Sequence, residues 1–224
     1  MTASSSGKVR LVLASASPAR LATLRAAGIE PDVIVSGVDE TVDTEATDTA
    51  GHALVLACRK AEAVAAGLVR GDADAGRSGG QGGLVATSTL VLGCDSVLEF
   101  DGETLGKPGT AAEARLRWLR MRGRSGVLHT GHYVISAESG RTAQGTASTT
   151  VWFADVTDEE IEAYVATGEP LAVAGAFTVD GLGGAFVERV EGDHHNVVGV
   201  SLPLLRRLLR RLDVTWPELW NRSH

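Results

Sequence analysis

The stretch LVLGCDSVLEFDGETLGKP, Leu90 to Pro108, places one carboxylate and one lysine on either side of a predicted hairpin. Leu90-Val91-Leu92 has the apolar run of a buried strand, which Gly93-Cys94 is expected to break, leaving Asp95 and Ser96 at the strand's end and Asp95 at a sheet edge. Val97–Phe100 and Glu103–Leu105 flank Asp101-Gly102, a pair suited to the positive φ values of a two-residue turn. The chain therefore doubles back, and Gly106-Lys107-Pro108 returns an ammonium group towards Asp95. An acid beside a lysine is commonly only a salt bridge, so these residues gain meaning from the rest of the chain.

At 224 residues the chain is long enough to bury a full core, and one domain is expected. A hydrophobic share of 44% with 22% charged residues fits a globular protein, and 4% aromatics argues against a base-stacking platform. The net charge of -7 argues against general attraction to nucleic acid, so a polyanionic small molecule would need a local basic pocket. Cys58 and Cys94 lack CxxC spacing, which disfavours a disulfide framework or structural zinc and suits a reducing cytoplasm. No apolar run approaches the ~18 residues of a membrane span. Residues 1–8 read as a disordered tail, and 9–224 as a single domain.

Before the hairpin, Val9–Ala14 reads as a strand and Ser15-Ala16-Ser17 as a turn into a helix beginning at Pro18 and stopping near Gly28. Such a junction aims free backbone N–H groups and the positive helix end at the space above the strand, where Ser15, Ser17 and Arg20 add donors. Most Ser-x-Ser-Pro starts are simply caps, so this is a candidate phosphate seat only if other cations converge on it. Asp32–Ser36 reads as a second strand followed by Asp39-Glu40, and Thr49–Leu68 as a helix carrying Arg59 and Lys60. Residues 71–83 form a glycine-rich insertion without the order of a P-loop.

After the hairpin, Thr110 opens a capping box for a helix whose apolar face begins with Leu116 and Leu119. Val127–Ala137 and Thr142–Ala154 read as an antiparallel pair, with His129, Thr130 and His132 on the first strand; histidines so spaced can bind metal, but no third ligand is indicated, and they read as surface residues. Thr157 opens a second capped helix, buried through Ile161, Tyr164 and Val165. Glycines at 175, 181, 183 and 184 bracket a predicted short strand, and Asp193-His194-His195 an exposed hairpin tip. A final helix from Ser201 interleaves leucines with Arg206, Arg207, Arg210 and Arg211; it can dock with its arginines in water or serve as a contact surface. Strands alternating with helices, plus one antiparallel ribbon, make the class α/β with a mixed sheet.

These motifs together resemble the Maf (septum formation inhibitor) nucleoside triphosphate pyrophosphatases. The resemblance rests on LASASPARLATL, VSGVDE, LACRKAEAVA, GCDSVLEFDGETLGKP, GEPLAVAGAFTVDGLGGAFV and GDHHNVVGVSLP, and spans Val9 to about Leu212. It implies a two-lobed α/β fold, a mixed twisted sheet flanked by helices around a central cleft. It also implies hydrolysis between the α and β phosphates of nucleoside triphosphates with a divalent metal cation, Mg2+ or Mn2+. Carried over by position, Asp95 matches the proton acceptor; Ser15, Arg20, Lys60 and Lys107 the phosphate-binding residues; Glu40, with Asp95, the metal-side acids. Removal of noncanonical nucleotides in the cytoplasm is the implied role, with no direct nucleic-acid or membrane binding. A cell-division regulator acting by protein binding is the alternative. A homodimer is an open expectation.

The chain also departs from the pattern. SPRR is here Ser17-Pro18-Ala19-Arg20, GADT is Gly93-Cys94-Asp95-Ser96, and DKAGAYGIQG is Ala172–Gly181. Ala19, Ser96 and Asp180 fall at the positions associated with base preference, so the preferred base is left open.

Overall fold

The computed structural model describes residues 9–40, 46, 48–71 and 88–221. The tail 1–8 and the glycine-rich insertion 71–83, apart from Gly71, lie outside the described residues. The centre of the molecule is β3, Ser88–Phe100, one strand of 13 residues. It does not break at Gly93 as expected, because its pairing with β5, Ser125–Ser136, runs from Leu90 to Glu99. Glycine serves close approach there instead. A Cβ at position 93 would stand 2.2 Å from the Ala57 carbonyl oxygen of α2, Thr49–Arg70, and one at Gly131 on β5 would stand 2.4 Å from that of Ala53. Without Cβ atoms at these two places, the helix lies directly on the sheet.

Seven strands form one mixed sheet in the order β2-β1-β3-β5-β6-β7, with β4 beside β3. β1, Val9–Leu13, runs parallel to β3, with Leu13 opposite Leu92. β4, Glu103–Leu105, returns antiparallel with Leu105 opposite Leu98, after a turn in which Asp101 and Gly102 take φ of 52° and 78°. On that side of β3, residues 93–97 therefore have no strand neighbour among the described residues. Asp95 is mid-strand rather than at a strand end, yet it faces a break in pairing between the end of β1 and the end of β4.

β6, Thr142–Phe153, and β7, Val187–Glu191, complete the antiparallel side. β2 is shorter than expected, Asp32–Val33, because its pairing with β1 stops where β1 ends. Helices α1 (Pro18–Ala26), α3 (Ala111–Met121), α4 (Asp158–Ala166), α5 (His194–Val198) and α6 (Leu202–Arg211) flank the sheet. Side chains of Ser17, Asp48, Thr110, Thr157, Asp193 and Ser201 cap these helices and α2 by accepting from backbone N–H groups in the first turn.

Several expectations are corrected. α3 buries Ala114, Trp118 and Met121, whereas Leu116 is exposed. Trp118 wins the core position because its ring meets Phe153 and Tyr164 edge-on while Nε1–H donates to the Ala176 carbonyl. The segment from 169 to 186 is not a strand but three short 3-10 helices, since the Glu169 carboxylate, rather than a neighbouring strand, accepts from the N–H groups of Leu182 and Gly183. Asp193-His194-His195 caps and begins α5 instead of tipping a hairpin. His129 and His132 are buried, because β5 lies between β3 and β6; Gly131 faces α2, while His132, of opposite parity, faces the Ser201 N–H on the other side.

The apolar interior divides at the same break in β3. Leu90, Leu92 and Cys94 join α6 and β1 on one face, Val91 joins α2 on the other, and Leu98 with Phe100 belongs to a separate cluster around Trp118 and α4. This is the two-lobed arrangement expected of the fold. Gly93→Ala should destabilise the protein by about 2 kcal/mol, as overpacked cores do, and lower turnover with it by displacing α2. Thermal unfolding together with initial rates checks this; an unchanged melting temperature would contradict the close approach.

Candidate active site

Side chains alternate along a strand, so neighbouring residues of β3 serve opposite faces. Position 93 points at α2, and Asp95 shares its parity; Ser96 points the other way, with Leu90, Leu92 and Cys94. The close seat of α2 brings Lys60 down onto Asp95, with Nζ 2.5 Å from Oδ1 and both groups buried. Lys60 also donates to Glu40 Oε1 at 2.5 Å, and the half-exposed Lys107, just past β4, donates to Glu40 Oε2 at 2.7 Å. Asp95, Lys60, Glu40 and Lys107 thus form one alternating chain of charges. Partial burial would raise the Glu40 carboxyl, but the hydrogen bonds from Lys107 and Lys60 outweigh it and hold the group at about 2.

The second group lies on the opposite face, where β1 ends and α1 begins. Arg20 is buried, and its guanidinium donates through Nε to the Gly199 carbonyl (2.8 Å), through Nη1 to Ser15 Oγ (3.1 Å) and through Nη2 to Ser96 Oγ (3.0 Å). All three acceptors are neutral, and among the described residues Arg20 makes no ion pair. A guanidinium buried without a carboxylate is costly unless an anion completes it. Ser15 Oγ also accepts from the Ser17 N–H, which ties the turn together at the start of α1.

The proposed residues are therefore sorted into two sets. Glu40, Lys60, Asp95 and Lys107 are joined on the α2 face, and Ser15, Arg20 and Ser96 on the α1 face, with the unpaired run of β3 between them. Ala19 is half-buried in the first turn of α1. Asp180 is exposed, on a segment that Glu169 fastens through Thr178 and Leu182; among the described residues no hydrogen bond joins it to Ala19 or Ser96. Burial pushes the Cys94 thiol up to about 12, which keeps it out of nucleophilic chemistry beside Asp95.

Among the described residues no three His, Cys, Asp or Glu side chains are grouped to hold a metal ion alone. Two carboxylates, Glu40 and Asp95, do match the way Mg2+ is bound by one or two acids completed by substrate phosphate oxygens and water. The donor set fits an ion that arrives with a phosphate ligand rather than a resident cage.

Thr130, Asn196, Gly199 and His132 also belong to this region and were not singled out as site residues from sequence. Thr130 Oγ1 lies 2.9 Å from Ser96 Oγ, and the His132 ring accepts the Ser201 N–H through Nε2 at 2.8 Å. Burial lowers the His132 pKa to about 4, in keeping with that acceptor role. The cap signal of Asp193 before HHNVV was the available clue to α5; the Ser96–Thr130 register depends on strand pairing that no local pattern encodes.

The Glu40 geometry carries a pH dependence. Its folded value lies below the ordinary 4.5, so its contribution to stability is complete above pH 4.5 and is lost as the pH falls towards 2. Glu40→Gln removes this term, and the melting temperatures of variant and wild type should converge over that window. Parallel curves would show that the lysines do not hold the carboxylate.

A family model described as Maf-like protein matches residues 10–212. A protein of Salinispora tropica named nucleoside triphosphate pyrophosphatase is 59% identical over 216 residues, covering 96% of this chain and 89% of its own. Proteins of the same name from Streptomyces coelicolor and Cutibacterium acnes are 54% and 51% identical, each alignment covering 94% of both chains. With its sequence matched nearly from end to end, the chain belongs to the Maf family.

Proposed function

We propose that the protein is a nucleoside triphosphate pyrophosphatase that cuts between the α and β phosphates, releasing the monophosphate and diphosphate. The observation that carries this reading is a buried Arg20, without an ion pair among the described residues, on one side of the β3 break, opposite a buried Lys60–Asp95 pair on the other. The four-membered chain of Glu40, Lys60, Asp95 and Lys107 is neutral in sum, and Arg20 adds one positive charge. Phosphate oxygens entering the break replace Glu40 as partners of Lys60 and Lys107, while Ser15 and the first turn of α1 add neutral donors.

Lys60 holds Asp95 through Oδ1, and Oδ2 accepts no hydrogen bond among the described residues. That oxygen is placed to take a proton from water as the water oxygen attacks the α phosphorus and the bond to the diphosphate breaks. Glu40 and Asp95 are the residues that would hold a divalent cation, which when bound would withdraw charge from phosphorus. Ala19, Ser96 and Asp180 are the proposed base-side residues. Ala19 offers no donor and an ionised Asp180 only acceptors, which supports turnover of more than one base.

Purified protein with Mg2+ should release diphosphate, not orthophosphate, from nucleoside triphosphates, and lose this activity on chelation. A nucleoside diphosphate as first product would overturn the reaction. Asp95→Asn should lower kcat by about 10²- to 10⁴-fold while triphosphate binding persists, because the amide keeps the shape without the proton acceptor. Near-normal turnover would return Asp95 to a structural role. Asp180→Gln should change the ratio of kcat/KM between two bases; equal loss across a nucleotide panel would remove Asp180 from base selection.

A further inference from the structure

We propose that Thr130 is a positioning residue, which sets the direction of a buried hydrogen-bond chain and thereby aims Arg20 and presents Ser96 to the substrate side as an acceptor. The inference rests on the phosphate-binding role proposed for Arg20. Thr130 is fully buried on β5, directly opposite Ser96 in the β3–β5 register. Its Oγ1 lies 3.1 Å from the Asn196 carbonyl oxygen and 2.9 Å from Ser96 Oγ. A carbonyl can only accept, so the single Thr130 hydroxyl proton is committed to Asn196. In the second contact Thr130 must then accept, and Ser96 must donate.

The Ser96 proton is thereby spent inside the protein. Arg20 Nη2 donates to Ser96 Oγ at 3.0 Å, so the chain runs in one direction from Arg20 to Ser96 to Thr130 to the Asn196 carbonyl. One lone pair remains on Ser96 Oγ, and no proton. The far end is rigidly held, because Asn196 is buried and its Nδ2 donates to the Leu128 carbonyl and to Thr149 Oγ1. Gly199, three residues on, accepts from Arg20 Nε at 2.8 Å. The segment 196–199 therefore anchors the guanidinium twice, once directly and once through Thr130. Three of the five guanidinium N–H groups are engaged this way, which leaves two for an anionic ligand.

Valine at 130 preserves the shape but removes both donor and acceptor. The Ser96 hydroxyl is then free to turn, and Arg20 loses a fixed acceptor without touching Asp95 or its lysines. The expected effect is on substrate binding more than on the chemical step. With Mg2+ and a nucleoside triphosphate, Thr130→Val should raise KM about fivefold, the size of one ordinary hydrogen bond between neutral groups, with a smaller change in kcat. Thr130→Ser should restore KM to within about twofold, since serine supplies the same hydroxyl. The Thr130→Val, Ser96→Ala double variant should show the KM of Ser96→Ala alone, because Thr130 acts through the hydroxyl that the alanine has already removed.

An unchanged KM in Thr130→Val, no rescue by serine, or fully additive losses would each overturn the proposal. If the valine variant lacks a melting transition, Ser96→Ala decides in its place, and an unchanged KM there has the same force. If the wild-type protein turns over no nucleoside triphosphate, the enzymatic reading fails by itself. The positioning role is then read from the Kd of inorganic triphosphate measured by calorimetry. It stands if Thr130→Val weakens that binding about fivefold and falls if it does not.

Discussion

The close contact between one long helix and the middle of the sheet is the constraint on which the site depends. Ala53, Ala57 and Ala61 are without exposure on α2, and the strands beneath them offer Gly93 and Gly131. Helix and sheet therefore meet backbone to backbone, and Lys60, one turn along from Leu56, reaches a carboxylate that a larger residue would hold out of range. Burying such a pair has a large desolvation cost, and its retention is better explained by placement than by stability. Shape, rather than polar attraction, decides where the charge stands.

The second organising fact is the change of partner along one side of β3. A parallel neighbour ends at Leu92 and an antiparallel one begins at Leu98, so the strand between them has a margin without a strand partner among the described residues. Consecutive residues Asp95 and Ser96 belong to opposite faces of the sheet, yet both border this margin. A ligand lying in it can reach the lysines on one face and the arginine on the other. In an acidic protein, with a net charge of -7, Arg20, Lys60 and Lys107 thus all lie beside residues of this one stretch or their direct partners.

Much of this was legible in the chain itself. The helix caps at Ser17, Thr110, Thr157 and Ser201 follow from residue chemistry over three or four positions, and the Asp101-Gly102 turn from its φ requirements. Motifs carried the site residues, but not their division between two faces. The misreadings share one cause: a local signal met a nonlocal demand. Gly93 suggested a strand break because nothing nearby in sequence announces a helix lying across it. His129 and His132 suggested a surface because their burial depends on strands on both sides. Leu116 suggests a core face by its apolarity, yet Trp118, with a partner for its N–H, occupies the core. The glycines near 180 suggest a strand because the real partner of this segment is a carboxylate 13 to 14 residues earlier.

Glu40 shapes the end of the proposed cycle as well as its start. In the resting arrangement it holds both lysines, and a triphosphate must take them from it. The diphosphate left after cleavage binds the same two ammonium groups, and strong attraction would retain it. Glu40 remains tethered within a side chain's length and competes for those groups continuously, as an intramolecular rival at high effective concentration. On the proposed reaction the carboxylate would thus serve as a built-in displacing agent, shortening product residence without weakening the cations that draw substrate in.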